Sequence, residues 1–250
     1  MATSGSADSP VVLAPDVRAA LISIQDQFRS DFGWDCSDDR RSALRLQQAC
    51  GSHALFISTS ELSARAIQAS SIRILGAAVE VDEVLSDIKE GCLLMAADGA
   101  VGVLRKLPDS TREESWQRLL SVVSDADGDF PDLLEAAHRN IPFVLHAHGD
   151  NEGQWRALLD SFGHSGVKPP LMLTHQTPEH IEGMYNPGGF TDGDRAVCLL
   201  LSLGVSPSSI ELVGFRDDTI GRWTGSTDPI RKMRKLAWMA RILRIAGVWQ

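Results

Sequence analysis

The sequence predicts an α/β protein: a mainly parallel, Rossmann-like sheet flanked by helices, preceded by N-terminal helices and followed by a long C-terminal helix. Three observations carry this. Short apolar runs alternate with helical stretches along most of the 250 residues. Hydrophobic residues make up 43% of the chain, ample for a sizeable core. Three successive apolar runs end in Asp with Gly beside or near it, as ligand-binding α/β sheets do at the carboxyl ends of their strands.

The elements follow in order. Met1–Pro10 reads as a loose tail. Asp16–Arg29 and Asp38–Cys50 read as helices; Val17, Leu21, Ile24 and Phe28 recur at helical spacing, and Pro15-Asp16 is a start signal. Residues 1–50 thus form a tail and helical segment ahead of an α/β domain over 51–250. Strands are expected at Ala54–Ile57, Ile72–Leu75, Leu93–Ala96, Leu120–Val123, Phe143–Leu145, Leu171–Leu173 and Ile210–Val213. Helices are expected at Glu61–Ala69, Val81–Lys89, Pro131–Arg139, Glu152–Phe162 and Asp194–Leu203. Asp228–Ala246 reads as one helix, capped by Asp228 with Pro229 in its first turn.

A net charge of -9 argues against non-specific nucleic-acid binding. Cys36, Cys50, Cys92 and Cys198 form no C-x-x-C pair, which argues against a disulfide framework or zinc knuckle and fits a reducing cytoplasm. The N-terminus has neither the basic nor the apolar part of a signal peptide, and no apolar run reaches membrane-spanning length. These features predict a cytoplasmic protein with no membrane partner.

The polar residues point to chemistry. Asp98-Gly99, Asp125-Ala126-Asp127-Gly128 and His148-Gly149-Asp150-Asn151 follow consecutive expected strands. Carboxylates at i and i+2 off a strand end can share one hard cation, and magnesium takes a few carboxylates plus water and substrate phosphates. A solvated acidic turn is the plainer reading of Asp125-x-Asp127-Gly128 by itself; Asp98 and Asp150 on neighbouring strands favour the metal. The run is not an EF-hand, since its sixth position is Phe130 and its twelfth Ala136. His146-x-His148 lacks the paired third ligand zinc needs; His146 reads as a core histidine and His148 as a hydrogen-bonding partner of phosphate or substrate. The glycine-rich run Asn186–Arg195 precedes a helix, where backbone amides can cradle an anion. Arg195 in a first helical turn opposes the helix dipole, which makes sense if it meets a phosphate; an ordinary capped turn is the alternative. Walker A and G-x-G-x-x-G runs are absent, which argues against a P-loop NTPase or standard dinucleotide site. The last helix reads as amphipathic, with a basic face from which one or two cations could reach substrate phosphates.

The strings Ala97-Asp98-Gly99-Ala100, Ser124–Gly128, His146–Asn151, Thr174-His175-Gln176 and Gly188–Ala196 resemble the archaeal 6-hydroxymethyl-7,8-dihydropterin pyrophosphokinase family, similar in fold to thiamin pyrophosphokinase. The resemblance covers nearly the whole chain. Ser124, Ala126 and His175 stand where that family usually has Thr, a larger hydrophobic residue and Thr. It implies transfer of pyrophosphate from ATP to the hydroxymethyl group of a reduced pterin, releasing AMP, on a path to folate or methanopterin. It further implies that Asp125, Asp127 and Asp150 hold Mg2+ with Asp98 close by, and that Gly188, Gly189, Asp192 and Arg195 line the nucleotide or pterin site. Gly99, Asn151 and Gln176 join the substrate-binding set, His148 or one of the acids could act as base, and the assembly could be a homo-oligomer. Two other classes compete: a haloacid-dehalogenase-type phosphatase, with Asp125 as nucleophile and Lys168 and Asp217-Asp218 in supporting parts, and a non-catalytic nucleotide- or metal-binding module. Thiamin as acceptor is a further variant of the same reaction.

Overall fold

The computed structural model describes residues 13–51, 55–86 and 89–249. The expected tail, Met1–Pro10, lies outside them. The chain forms a seven-stranded parallel sheet with strand order β6-β5-β4-β3-β2-β1-β7. In chain order the strands are β1 (Ser71–Leu75), β2 (Cys92–Ala97), β3 (Leu119–Ser124), β4 (Phe143–Ala147), β5 (Leu171–His175), β6 (Met184–Tyr185) and β7 (Ile210–Val213). Each of the first six joins its predecessor on the same side. The chain then crosses the sheet and lays β7 against β1, so the strand order reverses at β1.

Helices cover both faces. α1 (Pro15–Phe32), α3 (Thr59–Ile67), α8 (Asp192–Ser202) and α9 (Pro229–Ile245) pack on one face, against Ile72, Ile74, Met95, Val123, Val144 and Met172. α2 (Cys36–Cys50), α4 (Val81–Leu85), α5 (Asp109–Gln117), α6 (Phe130–His138) and α7 (Glu152–His164) pack on the other, against Leu75, Leu94, Ala96, Val122, Leu145 and Leu173. Side chains alternate between faces along a strand, so doubly covered strands are largely apolar, as these are; Arg73, Ser121, His146 and Thr174 are buried polar exceptions. The N-terminal helices join this arrangement from both sides: α1 packs on α9, and α2 on β4, β5 and α7.

The helix ends obey their local signals. Pro15 occupies the first turn of α1, Asp35 caps α2, Ser58 and Glu61 form a capping box on α3, and Asp228 caps α9. The expected strand Ala54–Ile57 differs. Phe56 forms an isolated bridge with Leu171 in place of a strand, and Ala54 lies outside the described residues. The helix expected over Val81–Lys89 stops at Leu85. Between β2 and β3 the chain adds a 3-10 helix (Asp98–Lys106) and then α5.

Candidate active site

The carboxyl ends of β2, β3, β4 and β5 lie side by side and deliver, in turn, Asp98, Asp125 to Gly128, His148 to Asn151, and Gln176. Residues distant in sequence meet because neighbouring parallel strands end at one edge. Ligand oxygens of Asp98, Asp125 and Asp127 all lie within 4.8 Å of one another. Two left-handed residues shape the cluster. Asp98 has φ 47° and Ala126 φ 70°, conformations that cost a non-glycine residue energy and persist where surroundings enforce them. Ala126 is buried between its two acids, and its amide donates to Ser124 Oγ at 2.9 Å. The Ser124 hydroxyl in turn donates to Asp98.

The charges are crowded. Burial, then the charges of Asp192, Asp125 and Asp127, push the Asp98 carboxyl well above its ordinary range. The Asp125 charge, then burial, raises Asp127. Burial and Asp125 raise Asp192. Asp125 goes the other way: burial opposes its ionisation, but the hydrogen bond and charge of His148 hold it low. Oδ1 of Asp125 is buried without a hydrogen-bond partner. Three convergent carboxylates and an orphaned oxygen are a donor set suited to a hard divalent cation such as Mg2+.

Asp150 stands apart from that triad. Its carboxylate accepts from His148 Nδ1 at 2.8 Å and from Arg231 of α9 at 3.0 Å, and both partners lower its pKa, His148 first. His148 Nε2 lies 3.2 Å from Asp125. Burial works against its charge, yet the two carboxylates raise its pKa to about 9. Both ring nitrogens then donate, so the ring has no free lone pair with which to take a proton. Asn151, 2% exposed, ties the loops together: its amide donates to Asp125 O at 2.9 Å and His146 O at 2.8 Å, and its Oδ1 accepts from the His148 amide. His146 is buried and neutral, its pKa pushed well below the ordinary value by burial and then by Arg195.

The glycine-rich run serves packing as well as the site. Gly188 and Gly189 have φ of 91° and 85°, and a Cβ on either would collide with α1 or with Arg195. Thr191 and Asp194 form the capping box of α8. Arg195 is 1% exposed; its guanidinium meets Asp192 at 3.1 Å and Phe190 O at 2.8 Å, behind the loop.

Two recesses flank the acids. One lies where the strand order reverses and is walled by Gly76, Gly99, Gly214, Gly221 and Trp223. The other is lined by Trp34, Phe190, His148, Gln176 and Lys235. Asp127, Thr191, Asp192 and Lys232 line both. Sequence reasoning missed Trp34, which carries no motif; it expected one or two cations of the last helix to reach substrate phosphates without saying which, and Lys232 and Lys235 are the ones that line the recesses.

Three curated relatives span most of the chain. A 6-hydroxymethyl-7,8-dihydropterin pyrophosphokinase of Pyrococcus furiosus is 32% identical over 221 residues, 86% of this chain and 84% of its own. The chain belongs to that pyrophosphokinase family. Proteins of the same name from Methanothermobacter thermautotrophicus and Methanocaldococcus jannaschii are 27% and 28% identical, over 85% and 68% of this chain and 88% and 68% of their own. No protein-family model matches the chain. For this pyrophosphokinase-family member, no helix among the described residues is long and apolar enough to cross a membrane.

Proposed function

We propose that this chain transfers pyrophosphate from ATP to the hydroxymethyl group of 6-hydroxymethyl-7,8-dihydropterin in a Mg2+-dependent reaction, releasing AMP. The observation that carries the reading is the acid cluster set between two recesses, in a chain whose relatives bear that enzyme's name. The glycine-walled recess at the strand reversal suits the nucleotide. The recess with Trp34 and Phe190 suits a flat heterocycle.

Asp98, Asp125 and Asp127 are the residues that would hold the cation, with Asp150 behind His148. When bound, Mg2+ supplies charge neutralisation on the phosphate oxygens. The chain's own residues do the positioning. The acceptor oxygen attacks the β-phosphorus, the bond to the oxygen of the α-phosphate breaks, and AMP leaves with that oxygen. The hydroxyl proton passes to a carboxylate on the shared wall, Asp127 or Asp192. Lys232 on the same wall faces the group in transit. His148, pinned between Asp125 and Asp150, braces the cluster.

The phosphatase reading fits the fold less well, because Lys168 precedes β5 and so lies at the amino end of the strands, opposite the acids. The test is incubation with ATP, Mg2+ and 6-hydroxymethyl-7,8-dihydropterin, followed by nucleotide analysis. Pterin-dependent AMP is expected; free phosphate from monoesters without AMP, or AMP formed with thiamin and not with the pterin, would overturn the reading. Asp127→Asn is expected to keep an unchanged circular dichroism spectrum and to lose about 100-fold or more in turnover.

A further inference from the structure

Behind the aromatic recess runs a chain of buried polar groups that the reaction does not touch. Gln176 lines the recess and is 2% exposed. Its amide nitrogen lies 2.9 Å from Asp39 Oδ2, on α2. Asp39, also 2% exposed, accepts from the Gly149 amide at 2.8 Å through its other oxygen, and Arg29 Nη1 lies 3.4 Å from Oδ2. Arg29 also donates to the Gln176 carbonyl at 2.6 Å. On the far side, Gln176 Oε1 lies 3.4 Å from His146 Nε2, and His146 Nδ1 lies 3.0 Å from Thr174 Oγ1.

A carboxylate only accepts hydrogen bonds, so the group of Gln176 facing Asp39 must be its NH2. The Gln176 oxygen therefore faces His146, whose Nε2 must carry the proton. His146 Nδ1 is then a lone pair, and the Thr174 hydroxyl donates to it. Burial raises the Asp39 pKa while Gln176, the Gly149 amide and the Arg29 charge favour its carboxylate, and that carboxylate sets the direction of the hydrogen bonds in this chain from α2 to β5.

We propose that Asp39 is a positioning residue for the acceptor site: it fixes which end of the Gln176 amide meets the acceptor ring and holds the Gly149 turn beside it. The assignment of the ring to this recess rests on the function proposed above; the direction of the hydrogen bonds does not. Asp39→Asn replaces one acceptor oxygen by NH2. If the remaining oxygen keeps the Gly149 amide, the new NH2 faces Gln176, whose amide must turn over. His146 must then accept at Nε2 and donate at Nδ1. The Thr174 hydroxyl has a second acceptor ready for that state, Leu145 O at 3.3 Å.

Nitrogen-15 NMR of the full-length protein, labelled on its seven histidines and assigned with His146→Gln, reads the tautomer directly. The Nε2–H form of His146 is expected in the wild type, the Nδ1–H form in Asp39→Asn, and the Nε2–H form again in Asp39→Asn/Gln176→Glu, where a carboxylate at 176 accepts from both sides. In steady-state assays, Asp39→Asn is expected to raise the acceptor KM about tenfold or more while leaving nucleotide binding within about twofold, with most of the loss recovered in the double variant. A wild-type Nδ1–H tautomer, or one that does not change in Asp39→Asn, overturns the proposal. So does a changed tautomer with an unchanged acceptor KM, or an equal loss of nucleotide and acceptor affinity. A wild type inactive on the pterin defeats the parent reading instead, and the tautomer still decides the hydrogen-bond direction.

Discussion

Gly128 follows the paired acids and packs where a side chain cannot go: a Cβ there would collide with Asp98 Oδ2 and press on the Gly99 amide. Asp98 is held by the Ser124 hydroxyl, and the Trp223 carbonyl packs close against Gly99 on its side-chain face. Gly128→Ala should therefore displace the Asp98 carboxylate. A loss of about 10-fold or more in turnover is expected, with thermal stability reduced by about 1–3 kcal/mol, from overpacking; near-normal turnover with an intact fold would show that Asp98 does not belong to the working site. At this scale the sequence was informative where chemistry is written in adjacent letters. Asp125 and Asp127 announce themselves by spacing, and Asp98 by its place after a strand. The relation among the acids was less visible. Asp150 reads as the equal of Asp127 in sequence, yet its carboxylate is engaged by His148 and by Arg231, 81 residues onward. Arg195 reads in sequence as a cation facing phosphate, and its guanidinium is buried against Asp192 and a carbonyl. Such facts depend on which side chains share a loop, which no local pattern records.

α9 closes the site from above. Arg231 binds Asp150, its guanidinium lies 5.2 Å from the Trp34 ring centre, and the Lys235 ammonium lies 5.9 Å from Trp34 and 5.7 Å from Phe190. Lys232, half-buried one residue after Arg231, lines both recesses and forms no ion pair among the described residues. Lys232→Ala is expected to lower kcat by about 100-fold with substrate affinities changed far less, because a charge facing the moving group acts mostly in the transition state. Lys232→Arg should recover part of the rate. A purely KM effect in single-turnover and steady-state kinetics would place Lys232 outside the transfer step. The helix itself was legible: Asp228, Pro229 and the apolar spacing define it almost to the residue. Other elements were not. α5 has few apolar residues, so its helical period is faint, and it buries little beyond Ser115 and Trp116. β6 is two residues long and borrows its order from β5. The run Ala54–Ile57 has strand composition, but among its described residues, 55–57, the one bridge is Phe56 with Leu171, a partner remote in sequence.

Across the whole molecule, two buried histidines make stability depend on pH. Burial holds His175 down to about 4 and pushes His146 well below its ordinary value. Both are neutral when folded, whereas the unfolded chain takes up protons near 6.5, so the unfolded state binds more protons below that pH. The His175 contribution is fully present above pH 6.5, falls as the pH drops, and levels off below about 4; its ceiling is about 3 kcal/mol. Urea denaturation of the wild type and His175→Asn at pH 7.5, 5.5 and 4.5 tests this. The wild type should lose stability faster than the variant over that range, and parallel curves would sink the idea. The architecture was the most legible level of all, since alternating apolar and helical segments leave few options beyond a covered parallel sheet. The return of the chain to set β7 beside β1 was not legible, and it has a consequence for how the protein forms. β1 and β7 pair across about 138 residues of intervening chain, Ile72 with Ile210. Closing so long a loop is among the costliest entropic steps available to the fold, and such contacts form late. The walls of the aromatic recess up to Asp192 are in place once the first six strands have assembled, and only α9 is then missing from it. The glycine-walled recess waits for the last third of the chain. During synthesis, then, the half of the site proposed for the flat ring emerges first, all but its α9 wall, and the half proposed for the nucleotide is the seam by which the fold is finally sealed.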